Sequence, residues 1–462
     1  MIETKEVLLE SLLDQAIVQA KATNGTQLVS FTKKINKEID PLQFFEAAKD
    51  SNMDRTFWSS TADGFYLVGI GNVCPIVAND NRFQETERQW RKQVENATIH
   101  NPYQTPGTGL IALGGMAFDP KKAKSALWKK FKNSEFQIPQ FTLTKNRTNY
   151  FITINTQATK DDHPVQLASE LKRMEAGLLH ETREFPNEAK LESKQEIAPD
   201  QWKQVVKAAT DEIKQNEAKK IVLAREMRLK LTKEAEITPV LNKLITTQTN
   251  SYVFAFEHDD DCFIGATPER LVKLENQQLL STCLAGTAPR GKTADEDREI
   301  SQTLLLDSKN RDEHDFVVKM IRHAIKDYCT NIQLPDEPVV YPLKNLQHLY
   351  TPVRATLKDG YSIFDIIKKL HPTPALGGVP REKSLSFIRE NEQLDRGWYG
   401  APVGWLDSNQ NGEFAVAIRS GLIQGDEASL FAGCGVVKDS NPEAEYEETM
   451  IKLTPMLSVL GG

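Results

Sequence analysis

The chain is expected to fold as an α+β protein, because helical and strand periodicities are mixed along it without regular alternation. Three observations lead there. Apolar residues recur every three or four positions near both ends of the chain. Short β-rich segments separated by turn residues fill the region from Gln27 to Thr156 and return after Ile221. No fixed repeat or low-complexity tract points to a solenoid or a tail.

Taken in order, Val7, Leu8, Leu12, Leu13, Ile17 and Val18 predict an amphipathic helix over Ile2–Lys21. Strands are expected at Gly64–Ile70, Leu110–Phe118, Phe141–Leu143 and Asn149–Ile154. Gly107, Gly109, Gly114 and Gly115 lack the spacing and the following lysine of a phosphate loop, so strand bends or close packing are expected there. The polar stretch Glu181–Pro199 divides an N-terminal part, 1–195, from a C-terminal part, 196–462. Beyond it, Trp202, Val205, Val206, Ala209 and Ile213 mark a helix, and Ile221–Ala224 a strand. Further strands are expected at Tyr252–Glu257, Cys262–Gly265, Arg270–Leu274, Val403–Trp405, Phe414–Ile418 and Leu430–Ala432, with helices at Arg311–Asp327 and Glu443–Leu457.

Bulk properties exclude several functions. The 462 residues carry a net charge of −7 with no basic run, so nucleic acid is not an expected partner. No segment reaches the roughly 18 apolar residues of a membrane span, and the N-terminus lacks a signal-peptide core, so a cytoplasmic protein is expected. Cys74, Cys262, Cys283, Cys329 and Cys434 are dispersed, odd in number and free of C-x-x-C spacing, which reads as buried thiols in a reducing compartment. His348 and His371 show no ligand spacing and are expected to be structural.

The chemistry is concentrated in short segments. Ser440 with Glu443 reads as a capping box that starts a helix, on which Glu445, Glu448 and Lys452 share a face. Adjacent carboxylates repel unless a cation joins them, and hard oxygens suit Mg²⁺; a solvated acidic face is the competing reading. Glu313 stands near the head of another helix, where the helix dipole also favours acids. Glu269 belongs to the turn Thr267-Pro268-Glu269-Arg270, and Thr287 to the turn Ala285-Gly286-Thr287. Lys220 opens a strand, where a plain surface charge is the alternative.

In order along the chain, K-x-x-L-A-R, T-P-E-R, L-A-G-T, E-H, R-G-x-Y-G, I-R, A-G-x-G and E-x-E-E-T-x-x-K-L resemble the chorismate-utilising enzymes over about Gln201–Leu457. That family includes the anthranilate, aminodeoxychorismate, salicylate and isochorismate synthases. The resemblance implies two large packed antiparallel sheets flanked by helices, with the site in the cleft between them. It implies that Lys220 activates water and Glu269 faces the departing hydroxyl, and that Glu313, Glu445 and Glu448 surround Mg²⁺. It assigns Tyr399 and Arg419 to the enolpyruvyl carboxylate, and Thr287, Gly433 and Lys452 to further substrate contacts. Asn310 replaces a carboxylate of some relatives.

Two positions discriminate within the family. Ammonia-using members resemble one another in carrying glutamine where this chain has Lys220, and an amide cannot deprotonate water. Aminodeoxychorismate synthases carry a lysine where this chain has Ala285. The isochorismate synthase group is therefore expected, feeding menaquinone synthesis, with no glutamine amidotransferase subunit. Salicylate synthase, and a non-catalytic chorismate-binding relative or amidotransferase partner, are the alternatives. Burial in the cleft should move both Lys220 and Glu269 toward their neutral forms.

Overall fold

A computed structural model of the chain describes residues 2–180, 183–215, 218–343 and 346–461, the side chains of 2–7 excepted. Two large sheets dominate it, as the resemblance implies. Across the first, strands run in the order Leu191–Glu196, Ile221–Leu231, Glu427–Val436, Ser420–Gln424, Asp261–Thr267, Tyr252–His258, Arg55–Ser60, Phe65–Ile70, Phe141–Asn146, Asn149–Thr159, Thr26–Ile35 and Thr98–His100. Every neighbouring pair is antiparallel except the last, which is parallel. The second sheet runs Cys329–Gln333, Leu346–Leu357, Gln278–Pro289, Arg270–Glu275, Gly412–Val416, Pro402–Asp407, Ile111–Met116, Ser134–Ile138 and Cys74–Val77, with Val339–Pro342 also paired to Leu346–Leu357.

Both faces of each sheet are covered, so the central strands are apolar throughout and alternation only chooses which core a side chain joins. Along Tyr252–His258, Phe254 and Phe256 enter a core between the sheets, while Val253 and Ala255 enter a core under the helices. The inter-sheet core is aromatic, with Trp58, Trp128, Phe131, Trp398 and Trp405 all buried. Close approach needs glycine: a Cβ on Gly115 would meet the Trp398 ring of that core at 2.6 Å, and one on Gly114 would stand 2.0 Å from the carbonyl oxygen of Glu135 on the neighbouring strand of the same sheet.

The two sequence parts interleave. Arg55–Ser60 pairs with Tyr252–His258, and Ile111–Met116 with Pro402–Asp407. The polar stretch between them is structured at Leu191–Glu196, an edge strand of the first sheet, while Glu181 lies outside the described residues.

Other expectations need correction in detail. The first helix spans Ile2–Thr23, but it buries Leu9, Leu13, Ala16, Ile17 and Ala20 and leaves Leu8 and Val18 exposed; the side chain of Val7 lies outside the described residues. The strand expected to reach Ile418 ends at Val416. The last helix, Pro442–Val459, is capped by Asn441, whose Oδ1 accepts from the backbone of Glu443 and Ala444. Ser440 instead accepts from the Val437 N–H, and Glu443 pairs with Lys203, so no capping box forms. Asparagine, one position later, holds the better Ncap geometry.

One buried ion pair joins the two sequence parts. Arg55 grips Glu257 bidentately, with Nε to Oε2 at 2.8 Å and Nη2 to Oε1 at 2.7 Å, both residues buried. Removing the carboxylate leaves the buried guanidinium with only Glu46, at 4.0 Å, and the Phe45 carbonyl, at 3.4 Å. Glu257→Ala is therefore expected to lose about 3 kcal/mol of stability, read from urea unfolding midpoints.

Candidate active site

The site is built where the chain changes sheets. Glu269 lies between Asp261–Thr267 of the first sheet and Arg270–Glu275 of the second. Arg419 lies between Gly412–Val416 of the second and Ser420–Gln424 of the first. The two crossings are tied together: Ala266 N–H donates to the Arg419 carbonyl at 3.0 Å, and Val416 N–H to the Glu269 carbonyl at 2.9 Å. Arg419 holds a left-handed backbone, φ 51°, which costs a residue with a Cβ and is sustained by these bonds. Gly265 permits the approach, since a Cβ there would stand 2.9 Å from the Arg419 carbonyl.

Burial raises the Glu269 carboxyl to about 7, with Thr373, Arg419 and Lys220 pulling the other way. The residue keeps some exposed surface, but its carboxyl is enclosed. A cavity of about 20 Å³ adjoins it, lined also by Ser281, Cys283 and Thr373. Burial lowers the Arg419 guanidinium, while Tyr399, Glu448 and Glu269 oppose the shift. Burial likewise lifts the Tyr399 phenol.

Lys220 precedes its strand: its backbone forms an isolated bridge with Val379, and the strand proper is Ile221–Leu231. That strand pairs with Glu427–Val436, Ala224 opposite Gly433 and Val222 opposite Gly435. Gly435 makes room for the lysine, because a Cβ would lie 2.5 Å from Lys220 Cε. Gly433 offers its carbonyl to Lys452 Nζ at 2.9 Å, and a Cβ there would stand 3.4 Å from the Tyr399 hydroxyl.

Lys220 is not a lone, desolvated amine. Its Nζ lies 2.8 Å from Glu313 Oε1, and the side chain keeps some exposure. Burial works against the Glu313 carboxylate, but Lys220 prevails and lowers its pKa, with help from Lys309 and Lys452. Lys452 in turn pairs with Glu448 at 2.5 Å, while Glu445 lies beside Cys434 and contributes to the raised pKa of its buried thiol.

Among the described residues no three acids, histidines or cysteines stand close enough to form a ready metal site. The donors are nonetheless hard oxygens carried on two helices, Ser308–Ile325 and Pro442–Val459, and lysines hold two of them. A dication is the other partner such carboxylates accept.

Thr287 follows Gly286, whose φ of 75° turns the chain. Its N–H donates to Asn310 Oδ1 at 3.1 Å, and its hydroxyl lies 2.9 Å from His348 Nδ1. Burial, aided by Arg419 and Lys452, lowers His348 to about 4, so the ring is neutral here. The fold thus adds His348 and Thr373 to the residues named from sequence, while Gly435 is the second glycine of the A-G-x-G segment. The histidine carries no spacing signal, and the threonine lies in His371-Pro372-Thr373-Pro374, which shows no chemistry by itself. His371 does serve structure, with Nε2 3.0 Å from the Phe118 carbonyl oxygen.

The raised Glu269 has a sign that can be tested. The native state binds this proton more tightly than the unfolded chain does. The associated stability is therefore full below about pH 4.5 and is lost as pH rises through about 7. Glu269→Gln should be more stable than the parent at pH 8, by about 2–3 kcal/mol, and the difference should shrink toward pH 5, as measured by urea unfolding at both values.

Relatives match this arrangement along the whole chain. A family model described as chorismate binding enzyme matches residues 15–461. The isochorismate synthase MenF of Bacillus subtilis (strain 168) is 40% identical, over 100% of this chain and 99% of its own length. The salicylate biosynthesis isochorismate synthase of Pseudomonas aeruginosa is 34% identical, over 98% of this chain and 95% of its own. In fold, the menaquinone-specific isochorismate synthase MenF of Escherichia coli superposes with a TM-score of 0.80 at 22% identity, covering 97% of this chain and 100% of that one. Anthranilate synthase component I of Streptococcus pneumoniae gives 0.68 at 20%, covering 86% and 92%. With a match running almost from end to end, the chain belongs to the family of chorismate-binding enzymes.

Proposed function

We propose that the protein is an isochorismate synthase, an isomerase that adds water at C2 of chorismate as the C4 hydroxyl departs. The observation that carries this is the presence in one site of a lysine, Lys220, and a carboxyl held near neutrality, Glu269. Full-length likeness to isochorismate synthases supports it. Lys220 takes the proton from water and Glu269 gives one to the leaving hydroxyl; in the reverse direction the roles exchange. To act as base, Lys220 has to leave Glu313. Ala285 offers no amine, so no covalent intermediate forms at that turn.

Arg419 suits the enolpyruvyl carboxylate because its planar fork can grip it bidentately, with the Tyr399 hydroxyl beside it. Thr287, Gly433 and Lys452 complete the substrate contacts. Glu313, Glu448 and Glu445 would hold Mg²⁺, and the ion would supply positive charge for the ring carboxylate. The donor chemistry supports that choice, and Lys452 is then free for the substrate. Likeness to MenF favours menaquinone synthesis as the destination of the product, without an amidotransferase subunit. The free, buried cysteines suit work in the cytoplasm, and no helix among the described residues is long and apolar enough to cross a membrane.

Incubated with chorismate and Mg²⁺ but neither glutamine nor ammonium, the protein should release isochorismate, and should return isochorismate to chorismate. Salicylate with pyruvate as the main early products would reassign it as a lyase, and anthranilate from ammonium salts would remove water as the nucleophile. Lys220→Ala and Glu269→Gln should each lower kcat about 10²–10⁴-fold with little change in substrate affinity. EDTA should abolish turnover and Mg²⁺ restore it, and Glu448→Gln should raise the Mg²⁺ requirement; turnover indifferent to chelator would leave the acids as a solvated face.

A further inference from the structure

Arg225 has no part in the chemistry above, yet its surroundings are specific. It lies five residues beyond Lys220 on Ile221–Leu231 and is only 2% exposed. Its Nε donates to Thr449 Oγ1 at 2.6 Å, and the Thr449 hydroxyl donates to the Tyr446 carbonyl at 2.6 Å. The guanidinium carbon stands 3.8 Å from the centre of the Tyr446 ring. Lys203 Nζ, 4.7 Å from the same ring, and the Trp202 indole also pack on Tyr446. Tyr446 and Thr449 directly follow Glu445 and Glu448, so these contacts hold the turn that carries both carboxylates.

Stability alone does not account for an arginine here. Nη1 and Nη2 are buried without a hydrogen-bond partner, and Glu196 approaches Nη1 only to 3.6 Å. A buried cation so poorly paired is costly, and an apolar side chain of similar length avoids that cost. What the arginine adds is direction, because its hydrogen bond and its ring contact both end on one helical turn. The same strand's neighbour Lys220 reaches Glu313 on Ser308–Ile325, so this stretch of chain touches both carboxylate-bearing helices.

We propose that Arg225 is a positioning residue that fixes the rotation of Pro442–Val459, and through it the placement of Glu445 and Glu448 for Mg²⁺. The proposal rests on reading those acids as metal ligands. A carboxylate at the end of a helical side chain lies roughly 6 Å from the helix axis, so a rotation of about 10° moves it by about 1 Å. Mg²⁺ requires oxygens near 2.0–2.1 Å in octahedral array, and such a displacement removes a ligand.

The test uses the full chain with Mg²⁺ alone in calorimetry. It adds the Mg²⁺ concentration for half-maximal turnover, the chorismate KM at saturating metal, and the unfolding midpoint without metal. Arg225→Met is expected to weaken Mg²⁺ binding and raise the half-maximal concentration about tenfold, with KM within about twofold and an unfolding midpoint not lowered. Thr449→Val, which removes the hydroxyl that accepts from Arg225 and donates to the Tyr446 carbonyl, should shift metal binding in the same direction by about threefold and carries the test if Arg225→Met does not fold. Arg225→Lys, which keeps a cation for Tyr446 but has no Nε, should fall between the parent and Arg225→Met. Variants that bind Mg²⁺ as the parent does, or that lose stability and turnover at every Mg²⁺ concentration alike, overturn the positioning role while the metal assignment stands. A parent chain that binds no Mg²⁺ overturns the metal assignment, and the positioning role with it.

Discussion

Two sheet-to-sheet crossings run side by side, and their mutual backbone bonds hold the acid and the arginine of this site within one frame. Glu269 and Arg419 do not meet through side-chain preference. They meet because Gly265 pairs with Ser420 in one sheet and Arg270 with Ala415 in the other, leaving short connections whose carbonyls and N–H groups satisfy each other. A buried backbone group left unpaired there costs free energy, so neither crossing can shift alone. The left-handed Arg419 backbone is the strain this arrangement carries.

Around that frame the charges divide into two kinds. Burial raises the Glu269 carboxyl to about 7, whereas Lys220 holds the Glu313 carboxyl below its ordinary value, and Glu448 is paired with Lys452. Carboxyl groups of one fold are thus shifted in opposite directions by their surroundings alone. Glycine at 433 and 435 gives this crowded region its space, since a methyl group at Gly435 would occupy the volume of the Lys220 side chain.

Much of this was legible in the sequence, for identifiable reasons. Strands such as Tyr252–His258 and Pro402–Asp407 announce themselves because β-branched and aromatic residues lie between turn residues. The helix carrying Glu445 and Glu448 is visible from its spacing, but its cap is not, because serine and asparagine are adjacent and both are competent. The sheet order was not legible, since pairing partners lie as far apart as Ile111 and Asp407 and periodicity records only which residues face a core. For the same reason the Lys220–Glu313 and Arg225–Thr449 contacts have no local signature. The first helix shows the limit from another side: Leu8 and Val18 are as apolar as Leu9 and Ile17, and only the neighbouring elements decide which are covered.

The interleaving of early and late strands also bears on how the chain reaches this fold during synthesis. Arg55–Ser60 finds its partner Tyr252–His258, and Ile111–Met116 finds Pro402–Asp407, only after a long intervening length of chain has been made. At about 5–20 residues per second the first of these edges waits roughly 10–40 s in the open, and the second longer. Non-local pairing of this kind is slow to form even when the whole chain is available. For that interval each of these strands keeps one unpaired backbone edge, although Trp58 and Leu113 already have core partners such as Phe65 and Phe131, and an exposed edge of this kind invites pairing with other chains.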